Sequence, residues 1–418
     1  MKTITHIKLA TAREERLQQI DTLFPDAAGP DLGAEWQGGR AAALALLAAA
    51  DAQAYARTRN HLSGAVTHLS PYIRHGCLSL QEVISDILTR FGAASAKLVS
   101  ELAYHAYFRQ VWHRYGEAIL HEMEVPKVPL GQRPLPAYVT QGITGLVCMD
   151  EVVRDLVRDG YVHNHARMWF AAYLVHWLKV DWREAADWFE ALLLDGNLAS
   201  NHLSWQWVAS SFSHKPYFFN RESMQQFGGE RYCQQCKVRC PFDADYATLE
   251  HTLFTPDAVP TPIMLEASSK ASTLTAPPAR RMSSAGSQAM IWVHDEILSP
   301  THPLQTDGRP SVFVFDPQLY GHWPRKRLQF MADCLVEMPN VETWAGNTAE
   351  VFSHLGASSI VTQETPQPLL KQAVAGWPVE WQTEPALTAR VLESHDLMRF
   401  SRYWKKAGPD IMQQTENG

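Results

Sequence analysis

No run of 18 uncharged apolar residues occurs in the 418-residue sequence, whereas a membrane-spanning helix needs about 20. The N-terminus MKTITHIKLATAREERLQQ lacks the apolar core of a secretory signal. These absences predict a soluble, cytoplasmic protein. Cysteine is scarce: six residues, which in a reducing compartment argue against a disulfide framework and for thiols or metal ligands. Charge of one sign is not in large excess either. A net charge of −7 excludes a wholesale nucleic-acid coat and still allows a local basic patch. With 46% apolar and 19% charged residues, the chain is neither disordered nor fibrous.

Aromatic residues are plentiful. Fourteen Trp and thirteen Tyr occur, many between positions 104 and 207. Large aromatics usually fill cores, and buried indoles near a redox cofactor can also relay electrons. Residues 1–36 hold one amphipathic stretch, AREERLQQIDTLF, and a Pro/Gly/Asp-rich connector, and read as an N-terminal extension. Helical periodicity dominates 37–255: GGRAAALALLAAADAQAYARTR, SLQEVISDILTRF, SAKLVSELAYHAYFRQVWHRY, MDEVVRDLVRDG, HARMWFAAYLVHWLKV and WREAADWFEALLLDG follow with short turns. Residues 256–288 are rich in Pro, Ser, Ala and Thr without a period, which predicts a flexible linker. Strand and helix signals then alternate over 289–408, in MIWVH, SVFVFD, RKRLQFMADCLVEM and SSIVTQ, before a tail at 409–418. That order predicts a small α/β domain with a parallel sheet.

Two stretches carry chemistry. VTHLSPYIRHG sets Thr67, Ser70 and the backbone around Pro71 ahead of a helix, where hydroxyls and free N–H groups suit a phosphate. Alone, such a turn is an ordinary cap. YCQQCKVRCPF spaces Cys233, Cys236 and Cys240 so that three thiolates can converge on one metal centre, with a fourth ligand from elsewhere. Spacing alone leaves structural zinc and iron–sulfur equally open.

Residues 142–210 run through Thr144-Gly145, His163-Asn164-His165-Ala166-Arg167-Met168, Asp181-Trp182-Arg183, Asp195-Gly196-Asn197-Leu198-Ala199-Ser200-Asn201 and Trp205-Gln206-Trp207. This series resembles the most specific stretch of the photolyase and cryptochrome family. The resemblance implies an all-α FAD-binding domain over 37–255, followed by a small α/β, Rossmann-like domain of antenna type. It implies that Tyr55, Thr67, Leu69 and Ser70 hold the FAD pyrophosphate, and that Arg167, Asp195, Asn197 and Asn201 line the isoalloxazine ring. Glu101, Tyr104, Asn164 and Met168 match lesion-contacting positions, and Trp205 and Trp182 match the first two members of an electron-carrying tryptophan chain. An aspartate that commonly partners the flavin arginine is replaced by Trp177.

Cys148, Lys215-Pro216-Tyr217, Tyr232-Cys233, Cys236 and Cys240-Pro241-Phe242 follow the order seen in bacterial photolyases that carry a [4Fe–4S] cluster. By that resemblance Cys148, Cys233, Cys236 and Cys240 are its ligands, and Cys77 and Cys334 remain as small core residues. The antenna-like stretch comes after the helical domain here, where relatives place it before, which implies a circular permutation. Its usual Arg-rich turn is missing, so an antenna chromophore stays unassigned. The implied function is light-driven splitting of UV-induced pyrimidine dimers in damaged DNA by a monomeric lyase. A cryptochrome-like sensor without repair is the alternative, and a DNA-binding iron–sulfur protein with FAD as redox partner a third.

Overall fold

The computed structural model describes residues 4–229, 231–255 and 288–414. Helices form where a polar cap meets an apolar stripe. Leu80–Phe91 begins at Ser79, whose hydroxyl accepts the Glu82 amide at 3.1 Å, buries Val83, Ile84, Ile87 and Leu88, and stops at Gly92 with φ of +52°. Val147–Asp159 buries Met149, Val152, Val153 and Leu156 and ends on a left-handed Gly160. HARMWFAAYLVHWLKV divides in two: Asn164–Ala172 is α-helical, and Tyr173–Trp177 is a π-helical turn.

Six strands, β1 (Thr5–Ile7), β2 (Gln288–Val293), β3 (Ser311–Phe315), β4 (Val341–Ala345), β5 (Ala357–Gln363) and β6 (Val379–Gln382), form one sheet in the order β1-β4-β3-β2-β5-β6. β2 to β6 are parallel. β3 is buried along its whole length, as a parallel strand covered on both faces requires.

The sheet is mixed rather than purely parallel, and the reason lies at the N-terminus. Thr5–Ile7, inside the stretch expected to be an extension, pairs antiparallel with β4, Thr5 opposite Ala345 and Ile7 opposite Thr343. Helix Arg13–Leu23 then packs on Arg325–Val336. The expected linker lies outside the described residues except for residue 288, the first of β2. The expected tail begins inside the helix Phe400–Ile411. One apolar core joins the early helices to the sheet, with Tyr72, Tyr107, Phe313, Phe330 and Tyr403 in the same cluster. A second core holds residues from Val139 to Leu253. Among the described residues, no helix is long and apolar enough to cross a membrane.

Asp333 ties the N-terminal segment to the α/β part. Its Oδ1 accepts Arg16 Nε at 2.9 Å and Nη2 at 2.7 Å, with the two side chains only 1% and 5% exposed. Replacing Asp333 with Ala strands a buried guanidinium and should destabilise the protein by about 3 kcal/mol. Urea denaturation measures the loss. The double variant Arg16→Met/Asp333→Leu should recover part of it, because no buried charge is left unpaired.

Candidate functional site

The turn after Val66, the helix Ala96–Tyr115, the helix Asn164–Ala172 and the turn at 195–197 meet around one buried ion pair. Arg167 Nη2 donates to both carboxylate oxygens of Asp195, at 3.1 and 2.9 Å, while its Nε donates to the Val162 carbonyl at 2.7 Å. The Asp195 side chain is 7% exposed. Burial alone would raise its pKa. The Arg167 charge and hydrogen bonds from Arg167 and Ser70 outweigh that and hold Asp195 below the usual carboxylate range. The partner of Arg167 is therefore Asp195, and the replacement of an aspartate by Trp177 costs the arginine nothing. Trp177 instead donates its indole N–H to the Pro241 carbonyl at 3.3 Å, among Phe219 and Phe242.

His105 was missed in the sequence. It feels both charges of the pair, and burial pushes its imidazole below the ordinary value, with Asp195 pulling up and Arg167 pulling down. Its signal was spacing: four residues after Glu101 on one helix, it shares that residue's face. His105, Asp195 and Tyr161 are half-buried. Tyr161 carries the Arg167 guanidinium 5.5 Å over its ring and stands 4.8 Å from His68. His68 has φ of +54°, rare for a residue with a side chain, and its buried Nδ1 has no hydrogen-bond partner. An orphaned buried nitrogen next to Tyr161 suits a polar ligand.

Among the other sequence candidates, Leu69 is buried, whereas Tyr55, Thr67 and Ser70 are half-buried. The helix start at Ser70 proves to be a five-residue helix, Ser70–Arg74, so its dipole is too small to carry a phosphate argument and the hydroxyls must do so. Asn197 caps the helix Leu198–Ala209, accepting the Ser200 amide at 3.1 Å. Asn201 donates to the Ala186 carbonyl at 2.8 Å and accepts the Trp205 indole N–H at 3.2 Å. One N–H and one lone pair of that amide are left. Trp182 donates to Glu122 Oε1 at 3.1 Å. Asn164 is exposed and its amide approaches Met168 Sδ at 3.8 Å. Glu101 is engaged by Lys97 at 2.5 Å and Arg59 at 3.5 Å. Tyr104 is stacked on Phe400 of the C-terminal helix, ring centroids 3.5 Å apart and planes 13° apart.

Cys148, Cys233, Cys236 and Cys240 line one cavity of about 290 Å³, together with Leu146, Tyr232 and Arg221. All four are free thiols. Among the described residues, no group of three or more His, Cys, Asp or Glu side chains converges tightly enough to hold a metal ion. The thiols ring the cavity without meeting at a point. Burial, then Cys240, Cys233 and Cys236, push the Cys148 thiol pKa up. A larger surface groove, about 590 Å³, opens between Ser79 and Gln414 and is remote from this chemistry.

Residues 98–251 match the family model described as the FAD binding domain of DNA photolyase. A deoxyribodipyrimidine photo-lyase of Halobacterium salinarum is 30% identical over 56% of this chain and 48% of its own length. One from Streptomyces griseus is 33% identical over 35% of this chain and 32% of its own. Cryptochrome DASH of Xenopus laevis is 32% identical over 37% of this chain and 32% of its own. The similar proteins thus include photolyases and a cryptochrome DASH alike. The chain spans about half or less of the length of these curated relatives.

Because the Asp195 pKa is depressed on folding, its contribution to stability is present above the unfolded-state carboxylate pKa and lost as pH falls through the folded value. Arg167→Met should reverse this dependence. With its partner gone, the buried carboxylate costs about 3 kcal/mol at pH 8 and less at pH 5, where protonation relieves it. Urea midpoints at the two pH values check the crossing.

Proposed function

We propose that this chain is a flavoprotein of photolyase/cryptochrome type that binds FAD at Arg167 and Asp195 and splits pyrimidine dimers in damaged DNA under blue light. The observation that carries this reading is the Arg167–Asp195 pair, its carboxylate buried, inside residues that match a photolyase FAD-binding domain. FAD, when bound and reduced, supplies the electron that opens the dimer and takes it back afterwards. Arg167, Asp195, Asn197 and Asn201 would border the ring system. Tyr55, Thr67, Leu69 and Ser70 would hold the pyrophosphate. The free N–H and lone pair left on Asn201 let it follow a change in the protonation of a neighbouring nitrogen. Trp182 and then Trp205, which is hydrogen-bonded to Asn201, would pass electrons inward during photoreduction. Glu101, Tyr104, Asn164 and Met168 would contact the flipped-out lesion.

The four cysteines line one cavity, and their order, which resembles that of the iron–sulfur photolyases, supports a [4Fe–4S] cluster over zinc. The α/β part, with β2 to β6 after the helices, supports a circularly permuted antenna-type domain. One observation favours the alternative, a light sensor without repair: Phe400 already covers one face of Tyr104, where a base would stack.

Repair of a dimer-containing oligonucleotide by the reduced protein under blue light tests the reading; flavin absorbance without repair would move it to the sensor. Trp205→Phe should slow photoreduction at least about tenfold, and unchanged kinetics would remove Trp205 from the path. Protein purified without oxygen should contain iron, and Cys148→Ser should bleach its broad visible band. Stoichiometric zinc without iron would refute the cluster.

A further inference from the structure

The turn that carries Asp195 and Asn197 is held from behind by two arginines. Arg74, at the end of the helix Ser70–Arg74, donates through Nε to the Gly196 carbonyl at 2.7 Å and through Nη2 to Asp295 Oδ2 at 2.8 Å. Arg327, from the helix Arg325–Val336 of the α/β part, donates through Nη2 to the same Gly196 carbonyl at 2.7 Å. Its guanidinium lies 3.8 Å over the Trp323 ring and 3.4 Å from Glu190 Oε1. The side chains of Arg74, Asp295 and Arg327 are 5%, 3% and 1% exposed. Gly196 itself admits no side chain, since an added Cβ would lie 2.6 Å from Arg327 Nη1 and from the Glu190 carbonyl oxygen. Two buried cations on one carbonyl repel each other, so packing alone would not select them. Asp295, Glu296 at 3.9 Å from Arg74, and Glu190 compensate the charge.

The sheet topology explains where Asp295 stands. β2 and β5 are neighbours, while β3 and β6, which follow them, leave to opposite sides. The crevice beyond their carboxyl ends is the place where open α/β sheets take ligands. Here His294, Asp295 and Glu296 line it, and the helical part fills it. His75 accepts the Leu298 amide on its carbonyl at 2.8 Å, and Arg109 donates to the Glu364 carbonyl at 2.8 Å. Gly76 approaches so closely that a Cβ would meet the Glu296 carbonyl oxygen at 2.1 Å.

We propose that the α/β part is an electrostatic component of the flavin site: Arg327 directly, and Asp295 through Arg74, are positioning residues that set the Asp195-Gly196-Asn197 turn against the cofactor. This rests on the flavin reading of that turn. Each charge-assisted hydrogen bond to a buried carbonyl carries enough free energy that losing one should weaken FAD binding about tenfold.

The experiment compares full-length wild type, Arg327→Met, Arg327→Lys and Asp295→Asn for FAD dissociation constant and flavin midpoint potential, with unfolding midpoints in parallel. Arg327→Met should bind FAD about tenfold more weakly, with a more negative potential because a nearby positive charge is gone. Arg327→Lys should restore the potential in part, since it keeps the charge and loses the fork. Asp295→Asn, which is isosteric, should move both quantities and decides the matter if Arg327→Met does not fold. Folded variants with wild-type FAD affinity and potential would overturn the proposal while leaving the flavin reading intact. A wild-type chain that binds no FAD would instead overturn the flavin reading itself.

Discussion

Asp195 is a carboxylate taken almost entirely out of water, and its burial constrains the elements around it. An unpaired carboxylate there would protonate or unfold the site. It stays charged because Arg167 forks onto it and Ser70 adds a hydrogen bond, which brings the helix Asn164–Ala172 and the turn before Ser70–Arg74 to the same point. The next carbonyl along, Gly196, is fixed by Arg74 and Arg327, so the position of the carboxylate depends on both the helical and the α/β parts. His105 is half-buried, and His68 Nδ1 is buried without a hydrogen-bond partner.

What could be read in the chain was local. Leu80–Phe91 and Val147–Asp159 announce themselves through a cap, a 3.6-residue stripe and a terminal glycine, and β3 through five consecutive apolar or small residues. β1 could not be read that way. Three residues, Thr5–Ile7, have no period, and only a partner some 340 residues away makes them a strand. β4, with Glu342 and Thr343 inside it, and β6 carry equally weak patterns. The same limit applies at the site. Arg167, Asp195 and Asn201 were legible because they lie in one ordered series of motifs, whereas the Arg74–Asp295 contact joins residues separated by 221 positions. Trp177 shows the hazard of position-by-position matching: the carboxylate missing there did not leave Arg167 without a partner.

The cysteine cavity follows a similar logic with the sign of charge reversed. Burial first, and then the neighbouring thiols around the same space, raise the pKa of Cys148 and of Cys240. Such an arrangement is unfavourable as thiolate without a cation and inert as thiol. Arg221, on the cavity wall, supplies one positive charge. Phe242, which lines the cavity, packs its ring against Phe219 and Trp177.

Whether the Tyr104–Phe400 stack decides between repair and sensing depends on magnitudes. An aromatic pair contributes about 1 kcal/mol beyond its buried area. Base–aromatic stacking contributes about 1–3 kcal/mol, and a ring has two faces. A flipped pyrimidine could therefore displace Phe400 or use the opposite face at a cost smaller than that of leaving the duplex. Glu101 is a stronger constraint, since Lys97 and Arg59 both hold its carboxylate and a lesion would have to compete with two cations for it. These ion pairs are partly exposed, each in the range of about 0–1 kcal/mol, so competition is affordable one pair at a time. Under the proposed reading, the contacts of Tyr104 and Glu101 weaken lesion binding without excluding it, and the hydrogen bond between Trp205 and Asn201 is the same in either role.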